Sequence, residues 1–393
     1  MAAASGVTLP TGSGRSRLRA HWRHLNGPGR IAGVDLARGL ALVGMVAAHV
    51  TWIDEQVAWA EPATWLGLVH GNSSILFATL AGLSVGIVTG GSQPVTGAER
   101  TTRQARLLVR AAALWVIGIV LIETTVPVYV VLPAYAILFA VAAALVSLSV
   151  RALIVTAAAI TVVAPFVHAL AASLPVWRTP GGATLALMLG LTYPFVVWAA
   201  FVIAGLALAR AGVTRLRVQL TTIAVGGALA VVGFALDATD GVRSPRLGNP
   251  ATTDVPVLER VWSAAPHSSG ILEVIASGGL ALAIIAACAL LCRPWRGSDG
   301  WGTGWVGYAT LPLRAVGAMP LTAYTAHLLA WFAVALYALD DVPDLSGFRA
   351  LEPFWPMTIG LVVGCTLWAL LLGRGPLEEG IARLARRVVP GPR

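Results

Sequence analysis

Five of the seven histidines fall in or beside apolar runs: His49, His70, His168, His267 and His327. Imidazole exchanges protons near neutral pH, and an ionisable group in hydrocarbon is costly enough that it faces a bundle interior. His49 closes the segment GVDLARGLALVGMVAAHV, in which Arg38 stands eleven residues earlier. Eleven residues are about three helical turns, so the two share a face roughly 16 Å apart along the axis. Asp35, three residues before Arg38, lies on that face too. A guanidinium at one end and an imidazole at the other suit an anionic ligand whose reactive end reaches across the membrane. Read without that ligand, Asp35–Arg38 is an interfacial ion pair and His49 a buried imidazole bonded to a carbonyl.

Other polar groups recur at the same depth. His70 opens VHGNSSILFATLAG with Asn72 and Ser73, and His267 opens PHSSGILEV with Ser268, Ser269 and Glu273. Tyr324 and His327 in PLTAYTAHLLAW are three residues apart and share a helix face. A histidine with a carboxylate neighbour can serve as a general base. HSSG reads equally as a helix N-cap, and Tyr324 as an interfacial anchor. His168 has nothing polar beside it and reads as structural. Arg110 and Arg314 sit at inner helix ends, as phosphate-binding guanidiniums or as topological anchors.

The elements that must carry these groups follow from composition. The 393 residues are 57% hydrophobic and 11% charged, whereas soluble domains are about 25% charged. A water-soluble enzyme and a disordered chain are both excluded. Ten apolar runs approach the ~20 residues needed to cross a bilayer: 33–53, 69–90, 107–123, 127–149, 152–173, 185–209, 218–237, 269–292, 314–338 and 355–373. The expected fold is all-α, a polytopic membrane bundle of about ten helices. Its expected divisions are an Arg-rich segment 1–30, a membrane domain 31–373 and a tail 374–393. No cleaved signal peptide is expected at 1–30.

The net charge of +9 comes from 27 arginines and no lysine. Arginines gather in alternate connections, at 15–30, 100–106, 151, 210–217, 293–296 and 374–387. Acidic residues gather in the others: Asp54, Glu55 and Glu61; Asp240, Asp254 and Glu259; Asp340, Asp341 and Asp344. The positive-inside rule places both termini in the cytoplasm and makes the charge topological, so nucleic acid is not an expected partner. The connection 238–268 is long enough to be functional. Cys288, Cys292 and Cys365 lack metal-ligand spacing, and no P-loop or nucleophile elbow is found. No metal is expected.

The segment RIAGVDLARGLALVGMV followed by HGNSSILFATLAG resembles heparan-alpha-glucosaminide N-acetyltransferase-like and YeiB-like membrane proteins. PLRAVGAMPLTAYTAHLL resembles the C-terminal segment of the YeiB-like branch. Arg38 and His49 resemble the R-x10-H signature of the membrane acyltransferase type 3 family. The resemblance covers about 30–373 and implies transfer of an acyl group, usually acetyl, from cytoplasmic acetyl-CoA to a sugar across the membrane. It casts Arg38, with Asp35 and Arg314, at the CoA phosphates and His49 as the base. His267, Glu273, Tyr324 and His327 would orient the acceptor or polarise the thioester. In the glucosaminide branch Asn replaces the first-helix His and the catalytic His lies in the next loop. Here that loop holds no His before His70, so the base is divided between His49 and His70. The expected partners are acyl-CoA, an extracytoplasmic carbohydrate or glycolipid, and membrane lipid, with a homodimer left open. The Ala-, Gly- and Arg-rich composition points to a bacterial plasma membrane. A proton-coupled transporter or flippase is the alternative.

Overall fold

The computed structural model describes residues 14–27, 29–53, 60–239, 261–294 and 303–391. Asp54, Glu55, Asp240, Asp254, Glu259 and Arg296, with most of the connection 238–268, lie outside the described residues. Among the described residues every regular element is helical. In chain order these are α1 (Gly14–Asn26), α2 (Ala32–Val50), α3 (Asn72–Val88), α4 (Gly97–Ile122), α5 (Leu132–Leu145), α6 (Val150–Ala172), α7 (Pro180–Leu189) and α8 (Phe195–Ala211). There follow α9 (Leu216–Thr239), α10 (Ile271–Leu291), α11 (Trp305–Ala309), α12 (Leu311–Ala318), α13 (Pro320–Val334), α14 (Leu345–Ala350), α15 (Phe354–Leu371) and α16 (Pro376–Val388).

Eight spans are long and apolar enough to cross a membrane, and α5, α7 and α8 are shorter apolar helices; counting α5 and α8 as crossings gives ten. The chain is a multi-pass membrane protein. An even number of crossings leaves α1 and α16 on one side. Both are amphipathic and basic in the last turn. α2, α3 and α10 form the centre, while α6, α9 and α15 show Val155, Leu170, Val225, Val231, Ile359 and Val363 to the surroundings.

Two expected spans differ. The run 185–209 is interrupted: α7 ends at left-handed Gly190 (φ +64°), and Pro194 holds the extended entry to α8. The run 314–338 is broken at Met319 (φ −134°, ψ 59°) ahead of Pro320. Leu313 meets Gly39 and Gly317 meets Asp35, so α12 runs antiparallel to α2. The crossing proper is α13, extended by a π-turn at Ala335–Leu339.

Close crossings depend on missing side chains. A Cβ on Gly82 would collide with the Val202 carbonyl, and one on Gly205 with that of Thr79, which lets the α3 and α8 backbones touch. Arg210, at the end of α8, is buried. Its guanidinium donates to the carbonyls of Gly86 (2.9 Å), Gly91 (2.8 Å) and Val146 (2.9 Å) and to Thr89 Oγ1 (2.7 Å). It thereby ties carbonyls at the ends of α3 and α5 to α8.

Candidate active site

α2 forms as one uninterrupted 19-residue helix, so Arg38 and His49 are held apart by a rigid rod. At the Arg38 end, Arg38 Nη1 donates to Asp35 Oδ1 at 3.1 Å and Nη2 to Ser84 Oγ at 2.7 Å. Arg30 grips the same carboxylate, Nε to Oδ2 at 2.6 Å and Nη2 to Oδ1 at 3.0 Å. Arg30 Nη1 also meets His24 Nε2 at 3.4 Å. Two guanidiniums around one buried carboxylate leave a net positive charge. His24, outside the membrane spans, is held below the usual imidazole range by burial and then by Arg30.

Beside this cluster is a cavity of about 510 Å³ lined by His21, His24, Arg374, Arg383, Glu379 and Trp368. His21 Nδ1 lies 3.0 Å from the Leu370 carbonyl, which seats α1 on α15. A hydrogen bond from Arg383, with the charges around it, holds Glu379 below the usual carboxylate range. The imidazole and guanidinium lining has the chemistry of an anion site.

At the other end, His49 Nδ1 is 3.1 Å from His327 Nε2, with the rings stacked at 5.4 Å. His327 is buried in α13, and which ring donates across this contact is set by which nitrogen carries the proton. With the shared proton on His49 Nδ1, His49 keeps a lone pair on Nε2. Tyr324 packs edge-on to His327 at 5.2 Å, and its hydroxyl accepts from Val131 N at 3.3 Å. Arg349 Nη2 donates to the His49 carbonyl at 3.3 Å and its guanidinium lies 5.3 Å from the Trp52 ring, closing the outer end of α2.

His70 and His267 form a second ring pair at 5.2 Å, with Tyr193 6.0 Å from His267. Glu273 bonds the loop rather than an imidazole. Its carboxylate accepts from His267 N (2.6 Å), Ser269 N (2.6 Å) and Ser268 Oγ (3.3 Å). As the third residue of α10 it closes the helix start backwards, in the manner of a capping box. It holds His267 (φ +62°) and Ser269 (φ +55°) in left-handed conformations that L-residues rarely adopt.

Of the residues singled out from sequence, the structure brings together Arg38 with Asp35, His49 with His327 and Tyr324, and His70 with His267 and Glu273. Arg314 stands apart. It is 1% exposed, and it donates to the carbonyls of Gly307 (2.6 Å) and Leu25 (2.7 Å) and to Asn26 Oδ1 (3.0 Å), which ties α12 to α1. Sequence reasoning missed Ser84, Arg349, Tyr193 and the role of Arg30. Ser84 and Tyr193 carry no local signal. Arg349 is an exception to the inside bias of arginine, and that exception was the available clue. Among the described residues no group of three or more His, Cys, Asp or Glu converges as a metal site.

Residues 30–235, just over half of the chain, match the family model described as heparan-alpha-glucosaminide N-acetyltransferase, catalytic. No curated protein matches the chain.

Proposed function

The chain belongs to the heparan-alpha-glucosaminide N-acetyltransferase catalytic family and is a membrane protein of acetyltransferase type. From that premise we propose that it moves an acyl group, acetyl first, from cytoplasmic acyl-CoA to a sugar hydroxyl or amine of an extracytoplasmic glycan or glycolipid, in a bacterial plasma membrane. The observation that carries this reading is α2 itself, with a guanidinium cluster near one end and an imidazole pair near the other.

In this reading Arg38, Arg30 and the cationic cavity around His21, His24 and Arg374 take the donor's phosphates and adenylate. Guanidinium suits such phosphates because it presents paired N–H donors. The pantetheine arm follows α2 towards His49. His49 Nε2 removes the proton from the acceptor O–H or N–H as that atom attacks the thioester carbonyl. In this reading His327 Nε2 accepts the His49 Nδ1 proton, 3.1 Å between the nitrogens, and so leaves this lone pair bare. As the C–S bond breaks, the departing thiolate takes up the proton, giving CoA thiol and an acylated sugar. In a two-step route the same nitrogen receives the acyl group first, and a pre-steady-state burst of CoA thiol would report it.

Acetyl-CoA turnover by detergent-purified protein tests this, with wild type beside His49→Ala and His70→Ala. The expected result is a loss of at least ~100-fold in His49→Ala, with CoA-dependent thermal stabilisation retained, and a smaller loss in His70→Ala. Wild type that neither binds nor consumes any acyl-CoA would overturn the proposal and make proton-coupled transport the next assay.

A further inference from the structure

α13, which carries Tyr324 and His327, starts abruptly. The break at Met319 frees it from α12, which is itself fastened elsewhere through Arg314 and through Gly317 against Asp35. Its axial position therefore needs a separate restraint. Met319 supplies no side-chain cap to α13, and Gly375 supplies none to α16.

Each helix instead caps the other. Glu378, in the first turn of α16, accepts from the backbone N–H groups of Leu321 (2.7 Å) and Thr322 (3.1 Å) on Oε1. On Oε2 it accepts the Thr322 hydroxyl proton at 2.5 Å. Thr322 Oγ1 in return accepts from Leu377 N, in α16, at 3.3 Å. The exchange satisfies orphan N–H groups of both helices and puts a carboxylate where two positive helix ends converge. Gly375 permits the approach, since a Cβ there would lie 2.5 Å from Met319 Cβ and 2.8 Å from Thr322 Oγ1.

Thr322 precedes His327 by five residues, or about 7.5 Å of helix. The contact between His327 and His49 is a single 3.1 Å approach, and a displacement of about 1 Å at a reacting geometry can cost on the order of 100-fold in rate. We infer that Glu378 is a positioning residue: α16, on the cytoplasmic side, acts as a stop that sets the height of His327 against His49. This rests on the acyl-transfer reading for its catalytic consequence, though not for the cap itself.

The test compares wild type with Glu378→Ala, Glu378→Gln and Thr322→Val, with Glu99→Gln as a control because Glu99 pairs with Arg103 within its own helix, α4. Amide hydrogen exchange is followed over residues 320–328 and over α15, and kcat and the KM for acetyl-CoA are measured per folded molecule. In Glu378→Ala, exchange over 320–328 should rise about tenfold while α15 is unchanged. The same variant should lose at least about tenfold in kcat with KM held within about twofold. Glu378→Gln keeps an acceptor oxygen and should recover most of both, whereas a generally weakened fold would raise exchange everywhere and spare kcat per folded molecule. Wild-type exchange over 320–328 in Glu378→Ala and Thr322→Val, or raised exchange with unchanged kcat, would overturn the inference. If wild type itself does not turn over, the acyl-transfer reading and the catalytic role fail together, and the exchange data still decide whether the cap exists.

Discussion

His49 Nδ1 and His327 Nε2 stand 3.1 Å apart, so in the proposed reaction the two rings act as a unit in which one is reactive and the other orients it. His327→Ala should therefore keep the base and lose its orientation. Turnover is expected to fall by about 10- to 100-fold, less than in His49→Ala, with the KM for acetyl-CoA unchanged; steady-state kinetics on the two variants side by side check the order. Glu273 makes a different case. It bonds two backbone N–H groups and a hydroxyl rather than a ring, so its removal strands buried donors. Glu273→Ala should cost about 2–4 kcal/mol of stability, read by thermal unfolding, and Glu273→Gln should cost less and keep measurable turnover. If Glu273→Gln were as dead as His49→Ala, a proton-transfer role would replace the structural one. At this scale the sequence exposed which side chains were out of place in hydrocarbon, because a histidine or arginine in an apolar run needs no alignment to be noticed. It did not expose their partners. Ser84 bonds Arg38 from 46 residues away, and Arg314 directs its Nη groups to Leu25 and Asn26 of α1, 288 or more residues away, and to Gly307.

Helices here are held by what they lack as much as by what they carry. Leu at position 82 would drive a side chain into the fixed Val202 carbonyl of α8. Gly82→Leu should cost about 1–3 kcal/mol or more, seen as a lowered Tm in detergent. α1 responds to pH instead. His24 is depressed below its ordinary value of 6.5 by burial and by Arg30, so below that value the unfolded or undocked segment binds more protons than the docked one. The hold on α1 is complete above the ordinary value and weakens as pH falls through it towards the depressed one. Hydrogen exchange over 14–26 should therefore speed up between pH 7.5 and pH 5 beyond its intrinsic trend, and His24→Gln should flatten the difference. The spans themselves were mostly legible from apolar length. The two that were misjudged, 185–209 and 314–338, contain Gly190 with Pro194 and Met319 with Pro320. A hydropathy count runs across such breaks because none of these residues is charged.

Ten crossings of alternating direction place the arginine-rich connections on one side and Asp340, Asp341 and Asp344 on the other. Single cysteines at Arg100 and at Asp341, in a background where buried Cys288, Cys292 and Cys365 are silent, should react with an impermeant thiol reagent from opposite faces of sealed vesicles. Labelling of both from one face would overturn the topology. Arg210 carries a further consequence, for biogenesis. The inner ends of the second and fourth crossings, at Gly86, Thr89, Gly91 and Val146, all end on a guanidinium that belongs to the sixth. While the chain is being threaded into the bilayer, those three carbonyls and the Thr89 hydroxyl lack the guanidinium until residue 210 has left the ribosome. The inner ends of α3 and α5 are thus tied to each other only once α8 has joined them.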